Sequence, residues 1–137
     1  MSSSLAGKRA LVTGASRGLG KAIALSLARA GADVAITFEK SVEKAQAVAD
    51  EIRALGRNGV AIQADSASPQ AIRAAVASSV EQLGGLDILV NNAGIARGGP
   101  LEAMSDEDID ALINVNVRGV VIATQAALAY LPDGGRI

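Results

Sequence analysis

Thr13-Gly14-Ala15-Ser16-Arg17-Gly18-Leu19-Gly20 joins the apolar run Arg9-Ala10-Leu11-Val12-Thr13 to an Ala- and Leu-rich segment at 21–30. Glycines at a strand-to-helix junction have a specific physical reading. Gly14 permits a tight turn off the strand. Gly18 removes a Cβ where backbone must approach a pyrophosphate, and Gly20 lets the helix pack close to the sheet. Free N–H groups at the helix start, with the helix dipole, then form a site for phosphate. The competing reading is a turn that is structural only. The spacing is Gly-x-x-x-Gly-x-Gly, and no Lys-Ser/Thr pair follows it. The loop of nucleoside triphosphate hydrolases is therefore disfavoured.

Outward from the loop, short apolar runs alternate with helical patterns. The helix at 21–30 closes at Gly31, and Val34-Ala35-Ile36-Thr37-Phe38 reads as a second strand. Ser41 caps a helix whose apolar face is Ala45, Val48, Ala49 and Ile52, and which ends at Gly56. Val60-Ala61-Ile62 is the third strand. Ser68 and Pro69 open a helix with Ile72, Val76, Val80 and Leu83 inward, stopped by Gly84 and Gly85. The segment at 86–90 is a fourth strand, interrupted only by Asp87. Ser105-Asp106-Glu107-Asp108 is a capped, acidic first turn of a helix running to about Tyr130. Gly134-Gly135-Arg136-Ile137 reads as the start of a fifth strand. Alternation of this kind implies βαβ units, right-handed crossovers and a parallel sheet covered on both faces. The fold class is therefore α/β, an open, doubly wound sheet, with 1–137 as one domain.

Composition narrows the chemistry. The 137 residues carry 13 basic and 14 acidic side chains, are 50% apolar, and contain neither Cys nor His. A net charge of −1 leaves no basic field for nucleic acid or an anionic membrane. Without Cys or His there is no disulfide framework, no thiolate nucleophile, no Ser-His-Asp triad and no imidazole metal site. Met1-Ser2-Ser3-Ser4 does not read as a secretory leader, and the apolar stretches read as too short to cross a membrane. The expectation is a soluble, cytoplasmic protein.

Two further segments carry amides. Asn91 and Asn92 follow an apolar strand at its carboxyl end, where ligands of open α/β sheets bind. A capped strand end is the alternative. Asn116 follows Ile109, Leu112 and Ile113 at helical spacing, which places it on an inward face. A buried amide needs partners, and backbone carbonyls alone would suffice.

Thr-Gly-x-x-x-Gly-x-Gly is similar to the cofactor motif of the short-chain dehydrogenases/reductases. Ala64-Asp65-Ser66, Asn91-Asn92-Ala93-Gly94 and Asn116-Val117-Arg118-Gly119 match the same family in order, so the likeness spans nearly the whole chain. Its wording resembles the 3-oxoacyl-acyl-carrier-protein reductases and similar NADPH-dependent ketone reductases. The resemblance implies a Rossmann-type sheet of order 3-2-1-4-5, broken off at the start of strand five. It also implies hydride transfer between nicotinamide and a carbonyl or alcohol, a small-molecule or acyl-thioester substrate, and a dimer or tetramer. Gly14, Ser16, Arg17, Gly18, Leu19, Gly20, Phe38, Lys40, Ser41, Asp65, Ser66, Asn92, Ala93 and Gly94 would hold the cofactor, with Asp65 on the adenine. Asp65 also reads as a loop or helix-start carboxylate. Asn116 would support a water in the proton relay. No metal is implied.

The cofactor's phosphate is read at the end of the second strand. Phe38 stands where NAD-preferring members carry Asp. Arg17, Lys40 and Ser41 favour NADP(H), since cations pair well with phosphate, whereas Glu39 opposes it. The balance leans to NADP(H). The family's remaining catalytic groups are a Ser after strand five and Tyr-x-x-x-Lys. Here Tyr130 is followed four places on by Gly134, and no Lys occurs after Lys44. The expectation is the cofactor-binding part of an oxidoreductase that continues past Ile137 and is inactive alone. A noncatalytic NADP(H)-sensing module, or a fragment completed by another chain, are the alternatives. With strand four left as an apolar edge, isolated residues 1–137 are expected to be poorly soluble or oligomeric.

Overall fold

Successive residues of the strands point to two different buried faces, not to core and solvent in turn. In a computed structural model, which describes residues 4–137, Ala10, Val12, Val34, Ile36 and Phe38 face one side and Leu11 and Ala35 the other. Met1, Ser2 and Ser3, part of the stretch read above as no leader, lie outside the described residues. The strands are β1 (Arg9–Val12), β2 (Asp33–Phe38), β3 (Gly59–Gln63) and β4 (Ile88–Val90). They form a parallel sheet of order β3-β2-β1-β4. Arg136 bridges in parallel to Ile88 on the free side of β4, where the expected fifth strand starts.

Helices cover both faces, as strands without a polar side require. Helices α1 (Gly18–Arg29) and α2 (Val42–Ala54) supply Ala24, Leu25, Ala28, Ala45, Val48 and Ile52 to the first face. Helix α3 (Pro69–Leu83) and the later helix α5 (Gly119–Leu128) supply Ile72, Val76, Leu83, Ala123 and Ala127 to the second. The apolar set Ala45, Val48, Ala49 and Ile52 is fully buried as the spacing predicts. Ser68 caps α3, its Oγ accepting from the Ala71 N–H at 3.2 Å, and Gly84 ends it in the left-handed conformation. Ser41 stands at the N-cap of α2, but its side chain makes no capping bond there.

Asp87 explains why β4 begins at Ile88 and not at Leu86. Its carboxylate accepts from the Arg9 backbone N–H and from Nε, both at 2.9 Å, and Arg9 Nη1 donates to the Gly84 carbonyl. This pair pins β4 beside β1 at the end of the sheet opposite the carboxyl ends. The hydrogen bond to the guanidinium holds the Asp87 carboxyl below the usual carboxylate range and raises Arg9.

The last helical region departs most from expectation. Helix α4 (Asp106–Ile113), capped by Ser105 Oγ on the Asp108 N–H, continues through a π-turn (Asn114–Arg118) into α5. Together they make one helix, Asp106–Leu128, long and apolar enough by length and composition to cross a membrane. This corrects the reading that no stretch is. Asn114, Asn116 and Arg118 had divided the apolar runs. The predicted inward face is also corrected. Ile109, Ile113 and Asn116 are exposed, and the buried line is Val115, Gly119, Ala123 and Ala127. A period of 3.6 cannot be carried through a π-turn, which inserts an extra residue and rotates everything beyond it.

Candidate functional site

At the carboxyl ends of the four strands a cleft of about 360 Å³ opens. Open α/β sheets bind ligands there, where the chain direction of the windings switches, here between β1 and β4. One wall is the glycine loop. Gly14 turns at φ +61°, and a Cβ on it would lie 2.8 Å from Ala93 Cα. Gly18 also turns left-handed at φ +59°, but a Cβ on it would meet nothing within 4 Å. The space in front of Gly18 is therefore open, as approach by a ligand requires. Gly20 lets α1 come against the opposite loop: a Cβ there would collide with Asn92 Nδ2 and lie 2.7 Å from the Gly14 carbonyl. The reading of Gly20 as a helix–sheet spacer thus becomes closer contact with the loop after β4.

Helix α1 begins without a side-chain cap and without an acidic residue in its first turn. Its first N–H groups and its dipole face the cleft, so the donor set fits a phosphate. Two charged side chains stand in the lining among the described residues, Arg17 and Glu39.

Buried polar contacts hold the loop in place. Thr13 Oγ1 accepts from the N–H groups of Asn92 and Ala93 at 3.1 and 3.0 Å. Asn92 Nδ2 donates back to the carbonyls of Thr13 and Gly14 at 3.0 and 2.9 Å. From the β2 side, Thr37 Oγ1 accepts from the Gly14 N–H and the Thr37 carbonyl from the Ala15 N–H, each at 3.0 Å. Asn92 is therefore committed to the protein's own backbone. Thr13 and Thr37 received no role from the sequence; a hydroxyl residue just before a glycine turn, and one at the end of the neighbouring strand, was the available signal.

The cleft gathers most of the residues singled out above. Gly14, Ser16, Arg17, Gly18, Leu19, Gly20, Phe38, Ser66, Asn92, Ala93 and Gly94 line it. Lys40, Ser41 and Asp65 lie outside the lining; Asp65 Oδ1 accepts from the Ala67 N–H, closing the turn into α3. Asn91 faces a smaller hollow under the sheet and donates to Thr124 Oγ1 at 3.1 Å. Asn116 clamps one peptide unit of the far wall: Oδ1 accepts from the Ile95 N–H at 2.9 Å, and Nδ2 donates to the Ile95 carbonyl at 2.8 Å. Ala64, Ile95 and Val115 complete the lining and were not anticipated.

The family description "short chain dehydrogenase" matches residues 8–137. The 3-oxoacyl-acyl-carrier-protein reductase of Staphylococcus aureus is 48% identical over 88% of this chain and 49% of its own length. An uncharacterised oxidoreductase of Methylorubrum extorquens is 44% identical over 98% of this chain and 54% of its own. A crystal structure of a short-chain dehydrogenase of Burkholderia cenocepacia in complex with NADP superposes with a TM-score of 0.96. Its sequence is 64% identical over 97% of this chain and 54% of that one. The chain belongs to the short-chain dehydrogenase/reductase family. It spans about half the length of these relatives.

Proposed function

We propose that the chain is the nicotinamide-dinucleotide-binding part of an oxidoreductase that moves hydride between the cofactor and a carbonyl or alcohol. A ketone or 3-oxoacyl thioester is the proposed substrate class, with the cytoplasm as the place of action and a dimer or tetramer as the intact assembly. The observation that carries the reading is the uncapped, acid-free start of α1, opening on the cleft at the carboxyl ends of the strands. The glycine loop takes the pyrophosphate. The end of β2 takes the adenosine ribose, Ser66 and Ala93 border the adenine, and Asn116 fixes the wall beside the nicotinamide. Lys40, Ser41 and Asp65 would reach the cofactor only from the margin of the cleft.

NADP(H) is preferred in this proposal. Arg17 stands in the lining, and the Burkholderia relative, at 64% identity, is named with NADP. Glu39, in the same lining, opposes the choice. The bound cofactor would supply the hydride; the chain's part is to bind and orient it. Proton transfer falls to groups that these residues do not include, since Tyr130 has no Lys four places on. The chain alone is therefore expected to bind NADPH without oxidising it in the presence of a ketone.

Fluorescence titration of the purified chain with NADPH and NADH tests this. Saturable binding, tighter for NADPH, is the expected result. Failure of both to bind overturns the functional reading, and tighter NADH overturns the cofactor choice alone.

A further inference from the structure

The Gly14–Ala15 peptide is the pivot of the glycine loop, and one side chain grips it from outside both the motif and the loop after β4. Thr37 is 4% exposed and sits one residue before the end of β2. Its hydroxyl accepts the Gly14 N–H at 3.0 Å, and its carbonyl accepts the Ala15 N–H at 3.0 Å. Two consecutive N–H groups of the loop are thereby turned towards β2. The next N–H groups, from Ser16 to the first turn of α1, are left to face the cleft.

This division is physically consequential. A glycine at φ +61° is held by its surroundings and not by its own side chain. If the Gly14 N–H loses its acceptor, it becomes an unpaired buried donor. The peptide then gains by rotating towards any other acceptor, and the phosphate-facing N–H groups rotate with it. Threonine also suits a strand, so the residue serves the sheet and the loop together.

We infer that Thr37 is a positioning residue of the dinucleotide site, acting through the Gly14 N–H to set the orientation of the phosphate-binding loop. The inference rests on the nucleotide-binding function proposed above. It goes beyond that reading because Thr37 lies outside every segment that carries the family likeness.

The test compares Thr37→Val, Thr37→Ala and Thr37→Ser with the parent chain. NADPH affinity is read by fluorescence titration, and the thermal midpoint is read separately. Thr37→Val and Thr37→Ala are expected to weaken NADPH about tenfold at a temperature well below their midpoints. Thr37→Ser keeps the hydroxyl and is expected to stay within about twofold. A purely structural role would lower the midpoint of all three and leave the affinity of the folded protein alone. Parent-like affinity in folded Thr37→Val or Thr37→Ala overturns the inference while leaving the functional reading standing. So does a Thr37→Ser variant as weak as Thr37→Val. If Thr37→Val does not fold, the Ala and Ser variants give the same decision. A parent chain that binds no NADPH overturns the functional reading, and this inference with it.

Discussion

Two walls of one cleft are built by different means. The β1–α1–β2 wall is held by backbone conformations only glycine tolerates and by buried hydroxyl and amide contacts: Thr13, Thr37 and Asn92 each bond loop backbone. The opposite wall, residues 94–104 and the helix behind it, is largely exposed. It is tied by Asn116 on Ile95 and by an ion pair, Arg97 Nε to Asp108 Oδ1 at 3.1 Å. Rigid geometry on one side and solvent-exposed ties on the other make unequal demands on substitution. The first wall should tolerate almost no change, whereas the second should lose function gradually.

The strongest test of that asymmetry is Gly20→Val. The atoms that a Cβ would meet include the Gly14 carbonyl at 2.7 Å and Ala15 Cα at 2.8 Å, and backbone has no rotamer to move to. Overpacking of this kind costs about 3 kcal/mol or more. NADPH affinity should fall below detection, and the thermal midpoint should drop. A variant that binds like the parent would show that the two loops separate freely, and the first wall would lose its claim to rigidity.

Thr13→Val comes next. It keeps the shape but removes an oxygen that accepts from two backbone N–H groups, Asn92 and Ala93. Leaving buried donors unpaired costs about 1–3 kcal/mol each. A loss of about 2–3 kcal/mol by denaturant unfolding is expected, given partial rescue by water. On the other wall, Asn116→Ala removes two bonds of similar length, but at an exposed site where water replaces them. Its expected loss is within about 1 kcal/mol. A larger loss for Asn116→Ala than for Thr13→Val would reverse the comparison.

The same contrast explains what the sequence conveyed. The glycine loop, the four strands and the α2 face were legible because fixed φ, alternating burial and 3.6-residue spacing each leave a local mark. The strand order was legible because the cofactor motif fixes which strand is central. The roles of Thr13 and Thr37 were not, since their partners lie 23 or more residues away in the chain. The side of the 106–128 helix that faces inward was also misread. The π-turn at Asn114–Arg118 breaks the period that the reading assumed, and Ile109 and Ile113, apolar by type, face outward. Arg17 and Glu39 were recognised, but only the structure separates them from Lys40, which lies outside the lining.

A smaller, pH-dependent effect probes the end of the sheet away from the cleft. Asp87 titrates below its unfolded value because Arg9 hydrogen-bonds its ionised form. A carboxyl with a lowered folded pKa adds stability that is fully present above the unfolded value of about 3.9 and lost as pH falls through the folded one. Parent stability should therefore decline below about pH 4, and the decline should be shallower in Asp87→Asn, which is less stable at pH 7. NADPH affinity at pH 7 should be unchanged, because neither residue lines the cleft. An equal acid decline in both proteins would remove Asp87 as its source.

The smallest expected effect is on the exposed tie. Arg97 and Asp108 are each about two-fifths exposed, and pairs of that kind contribute about 0–1 kcal/mol. Arg97→Ala should shift stability by less than about 0.5 kcal/mol and NADPH affinity by less than about twofold. Any such shift should vanish in high salt, where exposed charges are screened. The prediction is sharp despite its size. Thr37→Ala removes one hydrogen bond from a buried site, whereas Arg97→Ala removes a full ionic contact from an exposed one. If the second variant hurt binding more than the first, burial would not be what makes the glycine-loop wall rigid. The exposed loop would then be the part of the cleft whose position controls affinity.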